Sequence, residues 1–97
     1  MKKTHLLHHL KILKPTLQKE FHVTTLALFG SHAKQEATEE SDIDLLFTID
    51  DPEFDLFRYM ELKAYLEKEL GKQVDLVQEH TVKPHYRSSI EKSKIDI

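Results

Sequence analysis

Asp42 and Asp44 stand at the mouth of a hydrophobic stretch, SDIDLLFTID, and ten residues separate them from a Gly30-Ser31 pair that closes another, HVTTLALFG. Aspartate is among the least favoured strand residues, so two of them at one strand end call for a reason. Residues two apart on a strand point the same way, which puts both carboxylates on one face with Cα atoms roughly 7 Å apart. Like charges that close raise each other's pKa and strain the sheet, and a divalent cation with hard oxygen ligands relieves both problems. Asp75 interrupts the apolar run VDLV in the same way, with Val74 and Leu76 facing the opposite side. If its strand lies beside DIDLLF, the three carboxylates converge and can hold two Mg²⁺ ions, the arrangement that stabilises the attacking and leaving oxygens in phosphoryl transfer.

Gly30 and Ser31 supply a complementary half. A glycine at a strand end lets the backbone approach a ligand closely, and a serine opening the next turn or helix offers N–H and hydroxyl donors to phosphate oxygens. Donors for a phosphate tail, facing carboxylates for the metals that bridge it, read as a nucleoside-triphosphate site.

The elements that must position these residues follow from periodicity. Thr4 can cap a first helix in which Leu6, Leu7, Leu10, Leu13, Leu17 and Phe21 recur at steps of three and four, and Pro15 predicts a break near Lys14 with a second short helix beyond it. Residues 22–30 carry apolar side chains on both alternating faces, as a buried strand does. In SDIDLLFTID, Ile43, Leu45, Phe47 and Ile49 share one face, and Asp42, Asp44, Leu46, Thr48 and Asp50 share the other. DPEFDLFRYMELKAYLEKELGK reads as a helix with Asp51 as N-cap, Pro52 at its first position, Gly71 past its end, and Leu56, Tyr59, Leu62, Leu66 and Leu70 as its buried stripe. KQVDLVQ is a third strand, residues 83–92 a short helix, and the final IDI an edge strand. The fold class expected is α/β: a small mixed β-sheet with helices packed on it.

Composition limits how elaborate the function can be. The chain has 97 residues, 39% hydrophobic and 32% charged, which suits one globular domain over residues 1–97 with a modest core and no room for a second, substrate-binding domain. No apolar run approaches membrane-spanning length, and MKKTHLLHHLKILK carries too many His and Lys for a signal peptide. With no cysteine the chain has no disulfide, thiolate nucleophile or Cys-based zinc site, and a cytoplasmic location is expected. A formal net charge of −3 makes nucleic-acid binding a poor expectation, since that affinity comes mainly from Lys and Arg on phosphates.

The string G-S-x10-D-x-D, here Gly30-Ser31 through Asp42-Ile43-Asp44, resembles the signature of the DNA polymerase beta-like nucleotidyltransferase superfamily. The short chain resembles the minimal nucleotidyltransferase (MNT) branch, from the N-terminal helices through VDLV to the C-terminal helix. The resemblance implies a polymerase beta-like palm fold and a transferase that moves a nucleoside monophosphate, usually AMP from ATP, to an acceptor hydroxyl with release of pyrophosphate. It implies that Asp42 and Asp44 hold both Mg²⁺ ions, that Asp75 completes the catalytic metal's shell and helps deprotonate the acceptor, and that Gly30 and Ser31 bind the β and γ phosphates. His32 and Lys34 belong to the same phosphate-binding segment. Many such proteins are encoded beside a HEPN-domain ribonuclease toxin and act as its antitoxin by adenylylating it (AMPylation), which would supply the acceptor that so short a chain has little room to hold.

The sequence also departs from that pattern. Many relatives read G-S-x-A-R-G, and here His32 fills the variable place while Lys34 and Gln35 fill the last two. Lys34 keeps the charge but loses the planar fork that grips phosphate in two places, so weaker nucleotide binding is expected. A non-catalytic antitoxin that acts by occluding its partner is the alternative. A free enzyme acting on a small molecule suffers from the lack of room for an acceptor pocket.

Other residues invite plainer readings. Asp50 and Asp51 are turn and helix-cap residues at the far end of the strand. His5, His8 and His9 have a metal-compatible spacing but no nearby carboxylate. His32 reads equally as a phosphate contact or a solvated loop residue, and Tyr86 and Arg87 as helix packing or as contacts to a nucleobase or partner.

Overall fold

Pro15 does not break the first helix. In the computed structural model, which describes residues 2–38 and 40–97, α1 runs unbroken over Lys3–Phe21 with the proline inside it. Its buried stripe explains the departure from expectation: Leu6, Leu10, Leu13 and Leu17 fall on both sides of Pro15 and all enter the core. An interior proline costs about 3 kcal/mol, whereas each buried leucine is worth about 1.5–3 kcal/mol, so continuity wins. The N-cap is Lys2 rather than Thr4, without a side-chain cap bond, and His22 ends the helix at φ 60° with its N–H donated to the Leu17 carbonyl.

The strands are β1 (Val23–Phe29), β2 (Ile43–Ile49), β3 (Val74–Gln78) and β4 (Ile95–Asp96), in the spatial order β3-β2-β1-β4. β1 is antiparallel to both neighbours and β2 is parallel to β3, so the sheet is mixed, as expected. Alternation divides it cleanly. Leu26, Leu28, Ile43, Leu45, Phe47, Val74 and Leu76 point into one core against the leucines of α1 and against Leu62, Leu66 and Leu70 of α3 (Leu56–Leu70). The opposite face carries Phe29, Asp44 and Asp75 side by side, since Phe29 pairs with Asp44 and Asp44 with Asp75. β1 is buried on both faces only over Leu26–Leu28; Thr24 and Thr25 are exposed beside a register shift.

α3 begins later than its sequence suggests. Asp51 accepts the Glu53 N–H at 2.9 Å on its side chain and the Phe54 N–H on its carbonyl, which makes a turn. Asp55 is the N-cap, its Oδ1 accepting the Arg58 N–H at 2.9 Å. The delay lets Phe54 pack edge-on to Phe47, ring centroids 6.0 Å apart, and leaves Leu56 exposed rather than in the stripe. Gly71 closes α3 in the left-handed conformation at φ 69°, as its position implied. α2 is a single turn, Gly30–Ala33, and α4 spans Pro84–Ser93 with the proline in its first turn. Among the described residues no helix is long and apolar enough to cross a membrane.

Candidate active site

The site is built where β1 turns into α2. Gly30 takes φ +72°, a left-handed conformation that L side chains rarely adopt. The space its missing side chain leaves is filled: a Cβ there would lie 2.1 Å from Oδ2 of Asp44. The glycine therefore serves the carboxylate directly, a closer role than the approach to a ligand that the sequence suggested. Ser31 follows, half-buried in the first turn of α2.

The β2–β3 register places Asp75 directly opposite Asp44, the condition on which the acidic cluster depended. Burial pushes the Asp44 carboxyl up from 3.8 to about 6, aided by the Asp75 charge, a hydrogen bond with the Asp75 side chain, and the Asp42 charge. Asp42 and Asp75 are themselves exposed. Among the described residues no three His, Asp or Glu side chains already stand at metal-holding distances; Asp44 is coupled to Asp75 across the strand pair and senses Asp42 through its charge. Hard oxygen donors crowded until one resists ionisation suit a divalent cation, which would relieve the repulsion.

The rest of the predicted phosphate segment divides. His32 is 3% exposed, which removes the solvated-loop reading, and its Nε2 lies 3.4 Å from the carbonyl of Ser41, next to Asp42. It thus joins α2 to the start of β2. Lys34 is exposed at the end of α2. Gln35 adopts φ 61°, a left-handed position at the place where the resembling motif has glycine. Asp50 lies at the other end of β2, its N–H donated to the His22 carbonyl, apart from the cluster. Further along the acidic sheet face, a cleft of about 340 Å³ is lined by residues that include Thr25, Ala27, Leu46, Glu79, Lys94 and Asp96.

Two residues beside Asp75 escaped the sequence reading as parts of the site. The Tyr59 hydroxyl donates to the Leu76 carbonyl, and Glu67 Oε2 accepts the Val74 N–H at 3.0 Å. Burial, and then the charge of Asp75, push the Tyr59 hydroxyl up from the ordinary phenol value. Their only trace in sequence is their spacing: eight residues apart, they lie on one side of α3.

With this geometry established, the family follows: the chain belongs to the nucleotidyltransferase domain family, which it matches over residues 10–97. It is 44% identical over 89 residues to a candidate protein adenylyltransferase of Methanocaldococcus jannaschii, a match covering 90% of this chain and 85% of the relative. It is 39% identical over 70 residues to the protein adenylyltransferase MntA of Thermococcus cleftensis, covering 72% of this chain and 70% of that one. Among solved structures it resembles a candidate minimal nucleotidyltransferase at 31% identity and a TM-score of 0.79, covering all of this chain and 97% of the other. The fold is also shared, at 24% identity and a TM-score of 0.64, with a complex of a tri-AMPylated Shewanella oneidensis HEPN toxin and its MNT antitoxin, covering 94% of this chain and 69% of that one.

Proposed function

We propose that this nucleotidyltransferase is a protein adenylyltransferase that moves AMP from ATP to a hydroxyl of a HEPN-type toxin and thereby acts as its antitoxin. The observation that carries the reading is the register of Asp44 against Asp75, with Gly30 giving up its side chain to the Asp44 carboxylate. The names of its relatives support the protein acceptor, and the shared fold of the toxin–antitoxin complex supports the partner. The main-chain and hydroxyl donors of Ser31, with the Lys34 ammonium at the end of the same turn, bind the β and γ phosphates. Asp42, Asp44 and Asp75 would hold Mg²⁺, which would supply charge neutralisation on the triphosphate and the reacting phosphorus. The acceptor oxygen forms a bond to the α phosphorus as the bond to the bridging oxygen breaks. Pyrophosphate leaves, and Asp75, an exposed carboxylate opposite Asp44, takes the acceptor's proton.

The test is transfer of label from α-phosphate-labelled ATP to the toxin. Wild-type protein should label it, and Asp44→Asn or Asp75→Asn should lower the rate by orders of magnitude. A second reading, a non-catalytic antitoxin that binds and occludes the toxin, is favoured by Gln35 in its left-handed position where the motif has glycine. Under that reading no label is transferred, and both aspartate variants neutralise the toxin as well as wild type does.

A further inference from the structure

Asp75 is carried by an edge strand. β2 pairs with one side of β3, and among the described residues no strand pairs with the other. The Gln73 carbonyl accepts the Ile43 N–H at 3.0 Å, so the main-chain groups of residues 73, 75 and 77 face β2 while those of Val74 and Leu76 face outward. Two of those outward groups, one on each side of Asp75, are taken by α3: Glu67 accepts the Val74 N–H, and Tyr59 donates to the Leu76 carbonyl. The Tyr59 ring is in turn held against Phe47, centroids 6.5 Å apart. One helix thus bonds the main chain immediately before and immediately after Asp75.

We infer that Tyr59 and Glu67 are positioning residues for Asp75, latching the outer edge of β3 so that its carboxylate stays opposite Asp44. The inference rests on the reading of Asp75 as a member of the functional acid set. A strand bonded on one side only opens and shifts more readily than one bonded on both, and an ångström of misplacement at a reacting centre costs far more in rate than in stability. These two bonds stop that movement at the residue where it would matter.

The test reads Mn²⁺ binding to the full chain by calorimetry without nucleotide, together with amide exchange in β3. Tyr59→Phe keeps the ring against Phe47 and removes only the hydroxyl. It should weaken Mn²⁺ binding about two- to tenfold, the worth of one neutral hydrogen bond, and speed exchange at the Asp75 and Val77 amides. In an Asp75→Asn background the same change should add nothing, because the group it positions is gone. Glu67→Ala should behave as Tyr59→Phe does, and Glu67→Gln, which retains an acceptor oxygen, should restore binding. Equal losses in both backgrounds, or no loss at all, would overturn the inference and leave the latch as edge protection alone. So would wild-type protein that binds no Mn²⁺. Label transfer to the toxin is read separately: a non-additive Mn²⁺ cycle without transfer supports the positioning while removing the adenylyltransferase reading, and an additive cycle with transfer does the reverse.

Discussion

The carboxylate of Asp44 occupies the place where any other residue at position 30 would put its side chain, 2.1 Å from the Cβ such a residue would carry. Gly30→Ala must therefore do two things at once. It places an L side chain at φ +72°, which costs about 1–2 kcal/mol, and it displaces the Asp44 carboxylate from its place in the acid set. Thermal unfolding should register the first effect as a modest fall in Tm. Label transfer should fall about a hundredfold or more, beyond what the lost stability explains, because the displaced group is at the reacting centre. A variant that keeps full transfer while losing stability would separate the glycine from the site.

Asp44→Asn should stabilise the metal-free protein. The folded-state pKa of Asp44, about 6, lies above its ordinary 3.8. Below about pH 4 the group is protonated in both states and imposes no penalty; as pH rises towards 6 the folded protein alone resists ionisation, and stability is lost across that window. Asparagine carries no such charge. The stability difference between Asp44→Asn and wild type, measured by denaturant unfolding with chelator, should grow from about pH 4 to about pH 6 and then level off. Its plateau should be roughly 1–2 kcal/mol, allowing for solvent screening at a half-buried group. A difference that is flat with pH would mean that the repulsion is absent.

The same two residues show how far the sequence could be read. The acids and the glycine were legible because aspartate in a strand and glycine at a strand end contradict local preference, and such contradictions mark sites. The pairing of Asp44 with Asp75 followed once β2 and β3 proved adjacent. Helix boundaries were less legible, for reasons of competition. Asp51 and Asp55 both qualify as caps, and the choice was made by Phe54 packing on Phe47, a contact distant in sequence. Pro15 was outvoted by leucines on either side of it. Tyr59 was legible only as a packing residue and Glu67 not at all, because the partners of both are main-chain atoms whose outward direction depends on β3 lying at the sheet edge.

Gln35 tests whether the departure from the glycine-containing motif has a cost. At φ 61° a glutamine is held in a conformation that glycine adopts without strain. Gln35→Gly should relieve about 1–2 kcal/mol of left-handed strain and forfeit roughly 0.4–1 kcal/mol to the greater freedom of glycine in the unfolded chain, a net gain of up to about 1.5 kcal/mol. Tm should therefore rise slightly. An unchanged or lowered Tm would show that the Gln35 side chain makes a compensating contribution of its own.

Mg²⁺ with ATP should raise Tm more than ATP with chelator does, and the margin should depend on pH in a direction that Asp44 sets. A metal can use this carboxylate only once its proton has left, and the folded protein holds that proton up to about pH 6. At pH 7.5 the group is ionised and metal binding meets no competition. At pH 5 the proton competes, and apparent affinity should fall by about tenfold for each pH unit below 6. Since stabilisation grows with the logarithm of ligand over its dissociation constant, each tenfold loss removes about 1.4 kcal/mol while the site remains near saturation. The Mg²⁺-dependent part of the Tm shift should therefore be largest above pH 6.5 and shrink steeply towards pH 5. In Asp44→Asn the remaining shift should be small and should lose that dependence. A wild-type shift that is the same at pH 5 and pH 7.5 would mean that the ion binds elsewhere on the chain, and Asp44 would lose its place as a metal ligand.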